Sequence, residues 1–116
     1  MDAKTLYAAL RKLQEPKGYY FNNDLDGMTM PLLESLLVNK ERYGHMACPC
    51  RLASGDFERD RDIVCPCTYR EADVAEYGAC FCGLYVSREW NEGSVPRPTV
   101  PERRPPEKVM AALLGG

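Results

Sequence analysis

The sequence has no long apolar run. Its longest is the six-residue stretch 109–114, far short of the roughly 20 residues a membrane-spanning helix needs. It has no basic tract either: no run of Lys or Arg exceeds the pair Arg103-Arg104. The formal net charge is −2, with both signs spread along the chain. That balance argues against a nucleic-acid surface. The start, Met1-Asp2-Ala3-Lys4, lacks the charged lead and apolar core of a secretory signal, so a cytosolic setting is expected. Histidine is nearly missing too, with His45 as its single instance. What the chain does have is six cysteines. In a reducing compartment, clustered cysteines are more often metal ligands or catalytic thiols than structural disulfides.

A chain of 116 residues is one domain's worth, able to bury a modest core that an inorganic cluster would help to organise. Leu6, Leu10 and Leu13 recur at i, i+4, i+7 and predict a helix over residues 2–15, ended by Pro16 and Gly18. Tyr19, Tyr20 and Phe21 then lead into a polar turn over 22–27. A second helix is expected over 30–43. Thr29 would be its N-cap, Pro31 lies in its first turn, and Leu32, Leu33, Leu36 and Leu37 form its buried face. Lys40 and Arg42 suit the negative end of its dipole, and Gly44 suits its C-terminal stop.

Residues 45–86 contain every cysteine and read as loop-rich, with a short helix over 71–77 whose Arg70, Asp73 and Glu76 would face water. Leu84-Tyr85-Val86 reads as a short strand. Beyond residue 91 come Pro96, Pro98, Pro101, Pro105 and Pro106, which favour extended backbone and exclude regular structure. A final helix over 107–114 is expected. Whether it packs on the domain, binds a partner or frays is left open. The resulting division is a domain over 1–92 and a proline-rich tail over 93–116.

The cysteines form three Cys-x-Cys pairs: Cys48-Pro49-Cys50, Cys65-Pro66-Cys67 and Cys80-Phe81-Cys82. Fourteen residues separate the first pair from the second and twelve the second from the third. Four thiolates would satisfy one [4Fe–4S] cluster and leave two for a redox disulfide. Zinc also takes four thiolates, but it usually draws on Cys-x₂₋₄-Cys knuckles. One intervening residue points neighbouring side chains away from a small ion more often than toward it. Three readings therefore stand: an iron–sulfur disulfide reductase, an iron–sulfur electron carrier with idle extra thiols, and a zinc-binding interaction module.

The three pairs in this order, two with a central proline, together with Met46-Ala47-Cys48-Pro49-Cys50-Arg51-Leu52, resemble the catalytic (β) subunit of ferredoxin:thioredoxin reductase. The similarity covers about residues 18–90 and points to the bacterial or archaeal type. It implies a small, mainly α domain, with short helices and loops wrapped around one [4Fe–4S] cluster. It implies that Cys48, Cys65, Cys67 and Cys80 ligate that cluster, and that Cys50 and Cys82 form the redox-active disulfide. Cys50 would be the outward thiol that attacks the target, and Cys82 the thiol beside the cluster. Ferredoxin would be the electron donor, delivering one electron at a time. A thioredoxin or glutaredoxin-like protein would be the substrate. The resemblance leaves open whether a small second subunit accompanies the chain, as in the plant enzyme.

The chain departs from the plant pattern inside the third pair. Phe81 stands there in place of a histidine thought to assist proton transfer. His45, three residues before Cys48, is a candidate substitute because its ordinary pKa lies near neutrality. The plainer reading makes it a partly exposed histidine beyond a helix end, with no catalytic role. Arg51 would favour the thiolate of neighbouring Cys50, or be an ordinary loop arginine. The acidic-basic run 56–62 reads as a solvated loop, with partner docking as the alternative. Tyr69, Tyr77, Tyr85 and Trp90 read as packing around a small core that also shields the cluster from water.

Overall fold

The computed structural model describes residues 1–114. It is mainly helical. The elements in chain order are α1 (Ala3–Gln14), β1 (Tyr20–Phe21), α2 (Met30–Tyr43), α3 (Phe57–Asp60), α4 (Arg70–Tyr77), β2 (Tyr85–Val86), α5 (Arg88–Glu92) and α6 (Pro106–Leu113). The last two residues of the expected tail, Gly115 and Gly116, lie outside the described part.

The first helix begins where Asp2 accepts a hydrogen bond from the Thr5 N–H at 2.8 Å, which satisfies one free donor of the first turn. It buries Leu6 and half-buries Leu10. Leu13, expected on the same stripe, is exposed. Pro16 and Gly18 stop it, with Gly18 in the left-handed region. The second helix covers residues 30–43 as expected and ends at Gly44, whose φ is +84°.

Thr29 does not cap that helix. A wide helical turn, Leu25–Thr29, precedes it and is itself capped by Asp24, which accepts from the Gly27 N–H. The Thr29 hydroxyl instead donates to the Asn22 carbonyl at 2.6 Å, inside the core. Hence the stretch 22–27 is the entry of α2 rather than a separate turn. Of the four leucines, Leu33 and Leu36 are fully buried, whereas Leu32 and Leu37 border the core. Burying each fully stabilises the fold by about 2 kcal/mol.

The two short strands pair antiparallel, Tyr20 with Val86 and Phe21 with Tyr85. Tyr7, Phe21 and Tyr85 stack in sequence, with ring centroids 5.0 and 5.2 Å apart. This column ties α1 to the segment that carries the third cysteine pair.

Two sequence expectations fail here. Residues 56–62 are not a solvated loop: they form α3 and one further turn, and Asp60 and Asp62 are buried. Asp73 does not face water on α4, being fully buried and bonded to Arg103 at 2.8 Å. Each exception has an ionic or polar cause, because a buried carboxylate persists only where donors replace water. In the tail, the stretch between α5 and α6 has no regular structure, and α6 follows Pro105.

Candidate functional site

Backbone pairing brings the cysteine pairs together. The Cys48 N–H donates to the Ile63 carbonyl at 2.8 Å, and the Cys65 N–H donates to the Met46 carbonyl at 2.8 Å. These bonds flank an antiparallel bridge between Ala47 and Val64 and set the first two pairs side by side. The third pair sits in a tight turn closed by Gly83 N–H to Cys80 O at 2.9 Å, with Gly83 at φ +77°. Cys80 N–H to Tyr85 O, also 2.9 Å, hangs this turn on β2. The Cys65–Pro66 peptide is cis.

Cys48, Cys65, Cys67, Cys80 and Cys82 line one hollow. Cys50 does not line it and is exposed. The remaining wall consists of Arg51, Pro66, Arg70, Phe81 and Tyr85, with no carboxylate. All six cysteines are free thiols. Among the described residues, no group of His, Cys, Asp or Glu converges so as to hold a single metal ion.

Neighbours and burial sort the six thiols. The Cys82 sulfur lies 3.8 Å from that of Cys80. Its neighbours Cys48, Cys50 and Cys80, together with burial, keep its own proton on, well above the ordinary thiol range. The same proximity lowers those neighbours. Cys50 falls to about 7 and Cys80 to about 6, with burial opposing the shift in both. Cys80 also accepts from backbone N–H groups of residues 83–85, the Tyr85 N–H lying 3.3 Å from its sulfur. Cys48 is lowered by neighbouring Cys82, against burial, with help from the Cys50 N–H and Arg51. Cys65 and Cys67 go the other way, raised first by burial and then by the like charges of Cys48 and Cys80.

A ring of thiolates facing one hollow repels itself unless positive charge answers it. Two guanidiniums partly do so. Arg51 Nη1 lies 3.3 Å from the Cys67 sulfur and 4.0 Å from that of Cys48. Arg70 lies over the rings of Tyr19 and Tyr85, 3.8 and 4.8 Å from their centroids. Moreover, the Tyr85 hydroxyl is buried at this wall with no hydrogen-bond partner among the described residues. Soft thiolate donors, cations, an orphaned hydroxyl and no competing carboxylate fit a negatively charged, thiolate-held iron–sulfur group.

His45 is not at the hollow. It is buried, not partly exposed, and its Nε2 lies 2.8 Å from Asp60 Oδ2. Tyr43 and Phe57 pack against its ring at centroid distances of 6.0 and 5.7 Å. Sequence reasoning missed three residues here. Arg70 was placed in solvent, Tyr85 was read as packing and shielding without a role for its hydroxyl, and Glu102, which grips Arg51, was passed over. The turn Cys-Phe-Cys-Gly-Leu-Tyr gives a local signal for Tyr85. For Glu102 there is none.

Fold and site together define a small helical thiol protein of the redox class, built around a cysteine-walled hollow with one cysteine outside. The family model for the ferredoxin thioredoxin reductase catalytic beta chain matches residues 3–104, and the chain belongs to that family. The match reaches past the cysteines into the tail as far as Arg104. No curated protein matches the chain.

Proposed function

We propose that this protein is an iron–sulfur disulfide reductase that draws single electrons from a ferredoxin and reduces a thioredoxin or glutaredoxin-like protein. Cys48, Cys65, Cys67 and Cys80 hold one [4Fe–4S] cluster, and Cys50 and Cys82 are the redox pair. The observation that carries this reading is the position of Cys82, which lines the hollow with its sulfur 3.8 Å from that of Cys80, while Cys50 stands exposed outside it. The family membership supports the oxidoreductase class and both protein partners. When bound, the cluster supplies temporary storage for an electron, which lets a one-electron donor serve a two-electron disulfide.

The chain's own residues do the rest. Cys50, exposed and lowered to about 7, presents a thiolate to the target disulfide near neutral pH. Its sulfur bonds to one target sulfur, and the other leaves as a thiolate. Cys82 then gives up its proton and attacks the Cys50 sulfur, so the second target thiolate leaves. The target departs as a dithiol, and a Cys50–Cys82 disulfide remains, to be reopened by two electrons from ferredoxin. Phe81 contributes no proton to this exchange.

The unit over 1–92 carries the chemistry, and the tail braces it where Glu102 binds Arg51. No helix among the described residues is long and apolar enough to cross a membrane. A cytoplasmic setting is part of the proposal, since free thiols persist there. Anaerobic purification is expected to give a brown protein with about four irons per chain. Cys50→Ser should keep that iron and lose thioredoxin reduction. Colourless protein with bound zinc, or an active Cys50→Ser variant, would sink the reading.

A further inference from the structure

The tail crosses back to the cysteine loops and touches them at one point. Arg104 is its anchor. Its side chain is almost wholly buried, with Nε 2.9 Å from Asp62 Oδ2 and Nη2 3.3 Å from Asp62 Oδ1. It also donates to the Leu52 and Arg59 carbonyls, both at 3.2 Å. The Arg104 N–H in turn donates to Glu102 Oε1 at 2.8 Å, which fixes that carboxylate. Glu102 then grips Arg51: Nε lies 3.0 Å from each oxygen, and Nη2 lies 2.9 Å from Oε1.

Arg51 has been left one free direction. Its side chain is 1% exposed. The rings of Phe81 and Tyr69 cover it, with centroids 4.6 and 5.0 Å from its guanidinium carbon. With Nε and Nη2 committed to Glu102, Nη1 faces the sulfurs of Cys67 and Cys48. An arginine fork held on one edge by a carboxylate presents its other edge in a fixed place.

We infer that Glu102 is a positioning residue that holds the Arg51 guanidinium against the Cys67 and Cys48 sulfurs, so that the tail sets the reduction potential of the centre those sulfurs hold. Charge and hydrogen bonds at the ligand sulfurs are what tune such centres. A cation donating to them stabilises the more negative, reduced state and raises the potential. The inference rests on the cluster assignment above.

The sign of one shift separates positioning from plain charge. Removing Glu102 takes away an anion, which alone would raise the potential. Releasing Arg51 from the sulfurs lowers it. The midpoint potential is therefore to be measured by spectroscopic titration in the wild type, Glu102→Ala, Glu102→Gln and Arg51→Met, on full chains with matched iron content. A lower potential in Arg51→Met and in Glu102→Ala is the expected result. Glu102→Gln loses the same charge but keeps an acceptor for Arg51, so its potential should lie above that of Glu102→Ala. An unchanged or higher potential in both Glu102 variants would overturn the inference. If the wild type binds no iron, it is the cluster assignment that fails, and the two failures are thus told apart.

Discussion

Asp60 shows how much one side chain holds together. Fully buried, it accepts from the Ser54 N–H and hydroxyl, both at 2.9 Å, from the Gly55 N–H at 3.0 Å, and pairs with His45 at 2.8 Å. Burial works to raise its pKa, but these bonds outweigh burial and hold it below the ordinary carboxylate value. Asp62 behaves alike: burial opposes, and the bonds from Tyr69 and Arg104 win. Both folded values lie below the unfolded ones. The stability they confer is therefore complete above an ordinary Asp pKa of about 3.9, and lost as the pH falls further through the folded values. Denaturant unfolding as a function of pH should show stability dropping below that point, and Asp60→Asn should flatten the drop. Asp60→Ala is expected to cost about 3 kcal/mol at neutral pH, because several buried donors lose their acceptor at once. His45→Gln should lower the melting temperature and leave turnover unchanged, as its ring serves Asp60 and the aromatic pocket. A loss of turnover at an unchanged melting temperature would instead make His45 the proton donor.

At the scale of elements, the helix stops separate backbone strain from crowding. Gly44 and Gly78 both end helices in the left-handed region, at φ +84° and +83°. A Cβ on Gly44 would meet nothing within 4 Å, whereas one on Gly78 would lie 3.2 Å from Trp90 Cδ1. Gly44→Ala should therefore cost about 1 kcal/mol, the backbone penalty alone. Gly78→Ala should cost measurably more in the same equilibrium unfolding experiment. Helix α2 and its stop at Gly44 were legible in the sequence, since leucine spacing and glycine placement are local signals. The acidic run 56–62 was not. Its solvent-like composition hid two buried carboxylates, one of which, Asp62, pairs with Arg104 from 42 residues away. Asp73 was misplaced for the same reason, its partner Arg103 being 30 residues away. Ion pairs between distant segments leave no periodic mark, and so the docking of the tail could not be read from the proline pattern.

Across the whole molecule, the fold gathers three distant cysteine pairs around one hollow and brings a returning tail onto Arg51 in its wall. The cysteine count and spacing announced a shared site, and the family resemblance supplied the division of roles. The resemblance also implied an outward Cys50 and an inner Cys82, and the turn hung from β2 sets the Cys82 sulfur 3.8 Å from that of Cys80. Arg51, read as a neighbour that favours the Cys50 thiolate, helps to lower that thiol and also reaches the sulfurs of Cys67 and Cys48. The most direct test of the account is intact-mass analysis of acid-quenched mixtures of reduced protein and oxidised thioredoxin. Cys82→Ser should accumulate a covalent complex joined through Cys50, since nothing on the reductase side then resolves it, and Cys50→Ser should form none. A complex formed by Cys50→Ser, or none with Cys82→Ser while its iron content matches the wild type, would contradict the roles assigned to the two thiols.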